Sequence, residues 1–121
     1  MLFDSNVLIR YLNGDADIIE QLTTWRQEGR AFIISSITTA EVLSLKTLTQ
    51  EAAGQVKEFL GTFVSVPFDD AIAEVAAQYR RVYSLGLADA GIAATAIILE
   101  LPLVTQDQQF KKIKEITVVE I

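Results

Sequence analysis

The chain contains neither cysteine nor histidine. That excludes a Ser-His-Asp triad, a Cys-His nucleophile pair, a disulfide framework and a zinc site built on imidazole or thiolate. Acid-base and metal chemistry therefore falls mainly to carboxylates. Positive charge is scarce as well: ten Lys and Arg stand against sixteen Asp and Glu, a formal net charge of −6. Phosphate contacts come from Lys and Arg, so a surface that holds nucleic acid through bulk positive charge is not expected, and any such contact has to be local. No uncharged apolar run reaches the ~18 residues of a membrane span. Asp4 also interrupts the start, where a signal peptide carries a basic and then an apolar stretch. The expectation is a soluble, cytoplasmic protein with no membrane association. Repeats, linkers and low-complexity stretches are absent too.

What is present is a composition suited to a packed core. Half of the 121 residues are apolar and 21% are charged, which reads as one globular domain over residues 1–121. Leu2-Phe3 predicts a short strand. Val7, Leu8, Tyr11 and Leu12 then fall at helical spacing before the stop at Asn13-Gly14, and Ile18, Ile19, Leu22 and Trp25 share one face of a second helix that Gly29 can close. A strand is predicted over Ala31–Ile34. Val42, Leu45 and Leu48 predict a helix from Thr38 to about Thr49, and another follows from Glu51 to Leu60, closed by Gly61. Phe63–Val66 is a third strand. Asp69 or Asp70 can cap a helix with the stripe Ile72, Val75, Ala76, Tyr79 and Val82, with Gly86 beyond its end. From Asp89 to Leu99 comes a helix apolar on nearly every side, which belongs between layers. Strands over Leu101–Thr105 and Ile116–Val119 flank a short helical turn from Asp107 to Lys112. Short apolar strands alternating with helices indicate an α/β class, a parallel sheet with helices on both faces. In such sheets the functional crevice lies beyond the strand C-terminal ends.

Four carboxylates can reach that edge. Asp4 follows the first strand, Glu41 lies near the start of the helix after the second, Asp89 opens the apolar helix, and Asp107 follows the fourth strand. Each also has a structural explanation. Asp4, Asp89 and Asp107 can each serve as an N-cap, a role that contributes about 1 kcal/mol. Glu41 stands three residues after Thr38, the spacing of a capping box. Taken together they weigh differently, because capping needs no convergence on one edge. Two carboxylates about 4 Å apart repel by roughly 4 kcal/mol at an effective dielectric of about 20, so a cluster takes up protons or binds a cation. Oxygen ligands alone suit hard divalent ions, Mg2+ or Mn2+ first.

The same residues carry a family resemblance. Asp4-Ser5-Asn6-Val7-Leu8-Ile9 resembles the opening Asp-Thr-Asn-Val-Leu-Ile of the PIN-domain family, and Thr39-Ala40-Glu41-Val42-Leu43 resembles its second acidic motif. The segment from Leu87 through Asp89 to Ala96 looks like the third acidic block, and Leu103 to Phe110, with Thr105 and Asp107, looks like the Thr-x-Asp/Asn block. The matches occur in the family's order and span nearly the whole chain. The resemblance implies a sheet of order 3-2-1-4-5 and a metal-dependent ribonuclease most like the VapC-type toxins of toxin-antitoxin pairs. By that likeness Asp4, Glu41, Asp89 and Asp107 ligate Mg2+ or Mn2+ and form the catalytic set, while Asn6 and Thr105 support it. Ser5 replaces the commoner Thr and keeps its hydroxyl; Gln106 stands where Arg or Asn is frequent and removes a phosphate contact.

An RNA substrate also needs cations. Arg10, Lys46, Arg80-Arg81 and the group Lys111, Lys112 and Lys114 are available, with the last group best placed after Asp107. Tyr11, Tyr79 and Tyr83 read as core residues from their aliphatic neighbours, in preference to base-stacking ones, and Trp25 as core or interface. Val42, Leu43 and Leu45 offer a further apolar stripe for a partner, and the resemblance implies both a homodimer and an antitoxin. One alternative keeps the PIN-like scaffold as an RNA- or protein-binding module without nuclease activity. Another is a phosphoryl-transfer domain of the haloacid-dehalogenase or receiver kind. The first of these wants a second carboxylate two residues after Asp4, where Asn6 stands, and the second wants an acidic pair before its phosphorylated Asp.

Overall fold

Leu2 and Phe3 are adjacent in β1 (Leu2–Phe3) and point to opposite sides of a sheet, as strand geometry requires. In the computed structural model, which describes residues 1–121, each belongs to a different core. Phe3 packs with Val7 and Leu8 of α1 (Ser5–Leu12), with Ile18, Leu22 and Trp25 of α2 (Ala16–Gln27), and with Phe32 and Phe63. Leu2 packs on the other side, against Ile72 and Ala76 of α5 (Asp70–Tyr83) and Ile92, Ala93 and Ala96 of α6 (Leu87–Leu99). Leu103 and Val104 of β4 (Leu103–Val104) divide in the same way. One sheet thus serves two cores.

The remaining strands are β2 (Ile33–Ser35), β3 (Val64–Val66) and β5 (Val118–Val119). Their order is β3-β2-β1-β4-β5, all pairs parallel, with Leu2 in register with both Ile33 and Leu103. This is the predicted order and class. The strands are shorter than the apolar runs that announced them, because Phe32, Phe63 and Leu101 extend the apolar pattern beyond the paired residues.

Other expectations need correction. The helix predicted from Thr38 to about Thr49 is instead α3 (Ser36–Leu43), with Ser35 as its N-cap accepting from the Ile37 amide at 3.0 Å. Its end is set by Ser44, whose hydroxyl donates back to the Glu41 carbonyl at 3.0 Å. A turn follows, and Thr49 caps α4 (Gln50–Leu60) through the Ala52 amide. Leu45 lies in that turn and Leu48 leans on the first core just beyond it, and of the proposed apolar stripe Val42 is fully buried and Leu43 and Leu45 half-buried. Thr38 is no cap either; it is wholly buried and its Oγ1 has no hydrogen-bond partner. Asp89 does not open its helix, which starts two residues earlier with Gly86 as N-cap. α5 ends at Ser84 in the left-handed region (φ 53°), and its expected core residue Val82 is 73% exposed.

The all-apolar reading of α6 holds from Ala90 to Ala96, all buried. Its small residues let α3 approach: a Cβ placed on Gly91 would stand 2.3 Å from Ile37 Cδ1 and 3.1 Å from Phe68 Cε2. No single helix is long and apolar enough to cross a membrane.

Candidate functional site

At the C-terminal end of β1 the chain turns from extended into α1, and Asp4 is the hinge residue. Its Oδ1 accepts from the Ser5 amide at 2.8 Å, so it is the N-cap of α1. Its Oδ2 faces β4 and accepts from the Thr105 hydroxyl at 2.7 Å and the Asn6 amide at 3.3 Å. Thr105 also accepts from the Asn6 Nδ2 at 3.4 Å and from the Asp107 backbone amide at 3.0 Å. Asn6 Oδ1 in turn accepts from the Gln106 amide at 3.4 Å. The ends of two adjacent strands are tied together through one carboxylate. Asp4 is only 4% exposed.

That burial pushes the Asp4 carboxyl up to about 6, against the pull of the Thr105 hydroxyl and the Ser5 amide, and the negative charges of Asp89 and Glu41 raise it further. Asp89, third residue of α6 and half-buried, is raised chiefly by desolvation and also by the charge of Asp107, while a hydrogen bond from Gln109 opposes the shift. Glu41 lies late in α3, not in its first turn, and is half-buried. Asp107 caps the 3-10 turn Gln108–Lys112, its Oδ1 accepting from the Gln109 amide at 3.1 Å.

The four acids therefore form a row of electrostatic neighbours: Glu41 with Asp4, Asp4 with Asp89, Asp89 with Asp107. They do not form the tight knot expected from sequence, since no three Asp or Glu side chains stand close enough together to hold one ion. The reason is local. Asp4 is turned onto Ser5 and Thr105, and Asp107 onto its own 3-10 turn. No cation neutralises the row either, because the ion pairs of the chain are Arg10–Asp15, Arg30–Glu28 and Lys111–Glu120. Carboxylates without a Lys or Arg partner are the type of donor that suits a hard divalent cation, and Asp4 and Asp89 are the two that burial desolvates, but as placed the four do not converge on one ion.

Arg10 and Lys111 are thus engaged with Asp15 and Glu120, while Lys46, in the turn after α3, and Lys112 are exposed and unpaired. Tyr11 stacks on Phe59 with ring centroids 4.7 Å apart, as its aliphatic neighbours predicted, and Trp25 is buried against Phe3, in the core. Gln106 donates its side-chain amide to the Ile121 carbonyl at 3.3 Å and so fastens the C-terminal end of the chain.

Gln109 was not foreseen. Its Nε2 donates to Asp107 Oδ2 at 2.6 Å and to Asp89 Oδ2 at 2.9 Å, bridging two elements 20 residues apart. The available signal was its position two residues after an acid on a tight turn, which carries both side chains to the same edge.

A family profile described as PIN domain matches residues 1–116. No curated protein matches by sequence. Among solved structures, a chain from a toxin-antitoxin complex of Klebsiella pneumoniae is 31% identical with a TM-score of 0.83, over 99% of this chain and 98% of that one. A chain from VapBC2 of Rickettsia felis, crystallised with a DNA fragment from their promoter, is 20% identical with a TM-score of 0.85, over 99% and 97%. A chain from DNA-bound VapBC of Salmonella typhimurium is 23% identical with a TM-score of 0.84, over 98% and 96%. The last two are likenesses of fold.

Proposed function

This chain belongs to the PIN-domain family, and on that premise we propose that it is a metal-dependent endoribonuclease, the VapC-type toxin of a toxin-antitoxin pair. The observation that carries the reading is Asp4: a carboxylate buried at the functional edge of a parallel sheet, raised chiefly by that burial and further by Asp89 and Glu41, and paired with no cation. Such a group is costly unless a counter-ion completes it. In this reading Asp4 and Asp89 hold Mg2+ or Mn2+, with Glu41 and Asp107 completing the set. Those residues would hold a divalent ion whose chemistry, when bound, would be to lower the pKa of a water and offset charge on a phosphoryl oxygen. Thr105 and Asn6 fix the direction of Asp4 Oδ2. Lys46 and Lys112 contact the phosphates directly, whereas Arg10 and Lys111 do so only by leaving their acidic partners. The antitoxin is inferred from the toxin-antitoxin complexes among the structural neighbours. A homodimer is inferred from exposed apolar Leu87, beside a groove of about 470 Å³ also lined by Phe68, Ala73, Ala77, Arg80 and Arg81.

The test is incubation of the purified chain with single-stranded and structured RNAs, with and without Mn2+. Cleavage is expected only with the metal, and both Asp4→Asn and Asp89→Asn should abolish it with the fold retained. Full activity in both variants refutes the assignment. A second reading, a PIN-like scaffold that binds RNA or protein without cutting, is favoured by the absence of three acids within reach of one ion. RNA bound and left intact in the presence of Mn2+ selects that reading.

A further inference from the structure

The apolar stripe of α5 outruns the core. Ile72 and Ala76 are buried, but Val75, Tyr79 and Tyr83 are half-buried and Val82 is 73% exposed. Tyr79 and Tyr83, one helical turn apart, stack with centroids 5.8 Å apart and planes within 7° of parallel. Beside them is an open hollow of about 250 Å³ lined by Gln78, Tyr79, Val82, Tyr83 and Glu115, the last brought in from the turn before β5. Glu115 is exposed and takes part in none of the chain's ion pairs. Burial first, and the charge of Glu115 second, raise the Tyr79 phenol above its ordinary value, which sets the carboxylate close to that ring. The surroundings are negative too. Glu115 also lines an adjoining groove with Glu100, the C-cap of α6. At that helix end the peptide dipole is itself negative, and no basic residue stands in the last turn. The chain's own cations do not fill the hollow. Arg80 and Arg81 line the groove beside Leu87, and Lys114, next to Glu115 in sequence, lines neither hollow nor groove. The cation–π contacts belong to Arg26 and Arg30, so no cation lies over Tyr79 or Tyr83.

We propose that this hollow is a docking site for an arginine side chain of a partner polypeptide, the guanidinium laid on the tyrosine rings, its N–H fork on Glu115 and its stem against Val82. The site shares no residue with the carboxylate row, and neither metal nor RNA is needed for it. Three features select arginine. Aromatic ring faces carry the negative part of a quadrupole and attract a cation. A planar guanidinium stacks on such a face and forks onto a carboxylate, which a compact, strongly hydrated ammonium does not. Exposed Val82 gives the aliphatic stem an apolar seat. Size restricts the occupant as well: a cavity of roughly 150 Å³ takes up benzene, so this hollow accepts one side chain and not a helix.

The test is an NMR titration of the 15N-labelled full chain with the capped tripeptide Ala-Arg-Ala and its lysine and citrulline counterparts, citrulline having the shape of arginine without its charge. Saturable shifts are expected in the amides of residues 78–83 and 114–116, with the lysine peptide binding about threefold more weakly and the citrulline peptide not at all. Glu115→Gln should weaken the arginine peptide about fivefold and Tyr83→Leu about threefold, while Tyr83→Phe, which keeps the ring, should bind as wild type does. Equal binding of the arginine and lysine peptides, or shifts confined to the neighbourhood of Asp4 and Asp89, shows plain charge attraction and overturns the proposal. Wild-type affinity in Glu115→Gln overturns it too. So does a face already covered by a second copy of the chain, seen as a sedimenting dimer that Tyr83→Leu dissociates and as a tripeptide that leaves these amides unmoved.

Discussion

Asp4 and Asp89 both carry carboxyls raised chiefly by burial, and for Asp4 the pH window is defined. Asp4 titrates at about 6 in the folded chain, against an ordinary 3.8. Between those values the folded state binds more protons than the unfolded one, so stability falls as pH rises through this window and stays reduced above it. That displacement corresponds to about 3 kcal/mol. In chelator, urea unfolding of wild type and Asp4→Asn should therefore diverge as pH rises from about 4 to about 7, the variant gaining up to about 3 kcal/mol relative to wild type. Parallel curves for the two proteins would sink this account of Asp4. At this scale the sequence was partly legible. Asp4 and Asp107 were legible from their place at strand ends and Glu41 and Asp89 from helix starts near the same edge, whereas Asn6 and Thr105 came from the family likeness. The partners that hold each acid apart were not legible, because Gln109 acts through a tight turn and carries no apolar periodicity.

Among the elements, the contact of α6 with α3 is the one most sensitive to volume. Gly91 leaves room that Ile37 and Phe68 fill, and a β-branched side chain there must push both aside. Gly91→Val should lower stability by about 1–3 kcal/mol, read as a reduced urea midpoint with unchanged slope. An unchanged midpoint means the two helices are free to separate. The run from Ala90 to Ala96 announced a sandwiched helix because no face of it is polar. The end of α3 was less legible. Leu45 and Leu48 keep helical spacing, yet Ser44 turns back to Glu41 and stops the helix, a side-chain competition with the backbone that apolar periodicity does not register. The same early start of α3, at Ser36, moves Glu41 from the first turn to the last.

For the whole molecule, alternating short strands and helices made the parallel class legible, and the order of the strands came from the family likeness of the acidic blocks. The distribution of charge has its own consequence. A chain of net charge −6, with Arg10 and Lys111 already paired, offers few cations to an anionic strand near the acidic row. Each phosphate neutralised on a single strand contributes about −0.7 to the slope of log K against log salt. If Lys46 and Lys112 are the contacts, RNA binding by Asp89→Asn, chosen so that the strand stays uncut, should show a shallow slope of about −1.4. Lys112→Ala in that background should reduce the slope by about 0.7 and weaken all RNA sequences alike, since a phosphate contact carries no base information. Fluorescence anisotropy across a salt series measures both quantities. A steep slope that survives Lys112→Ala assigns the contacts elsewhere, with Arg80 and Arg81 on α5 the next cations to replace. A shallow slope also bears on partnership: an RNA held by so few charges is readily displaced by any protein segment that brings cations of its own to Asp4 and Asp89, because such a segment gains from the same unneutralised carboxylates that repel the strand.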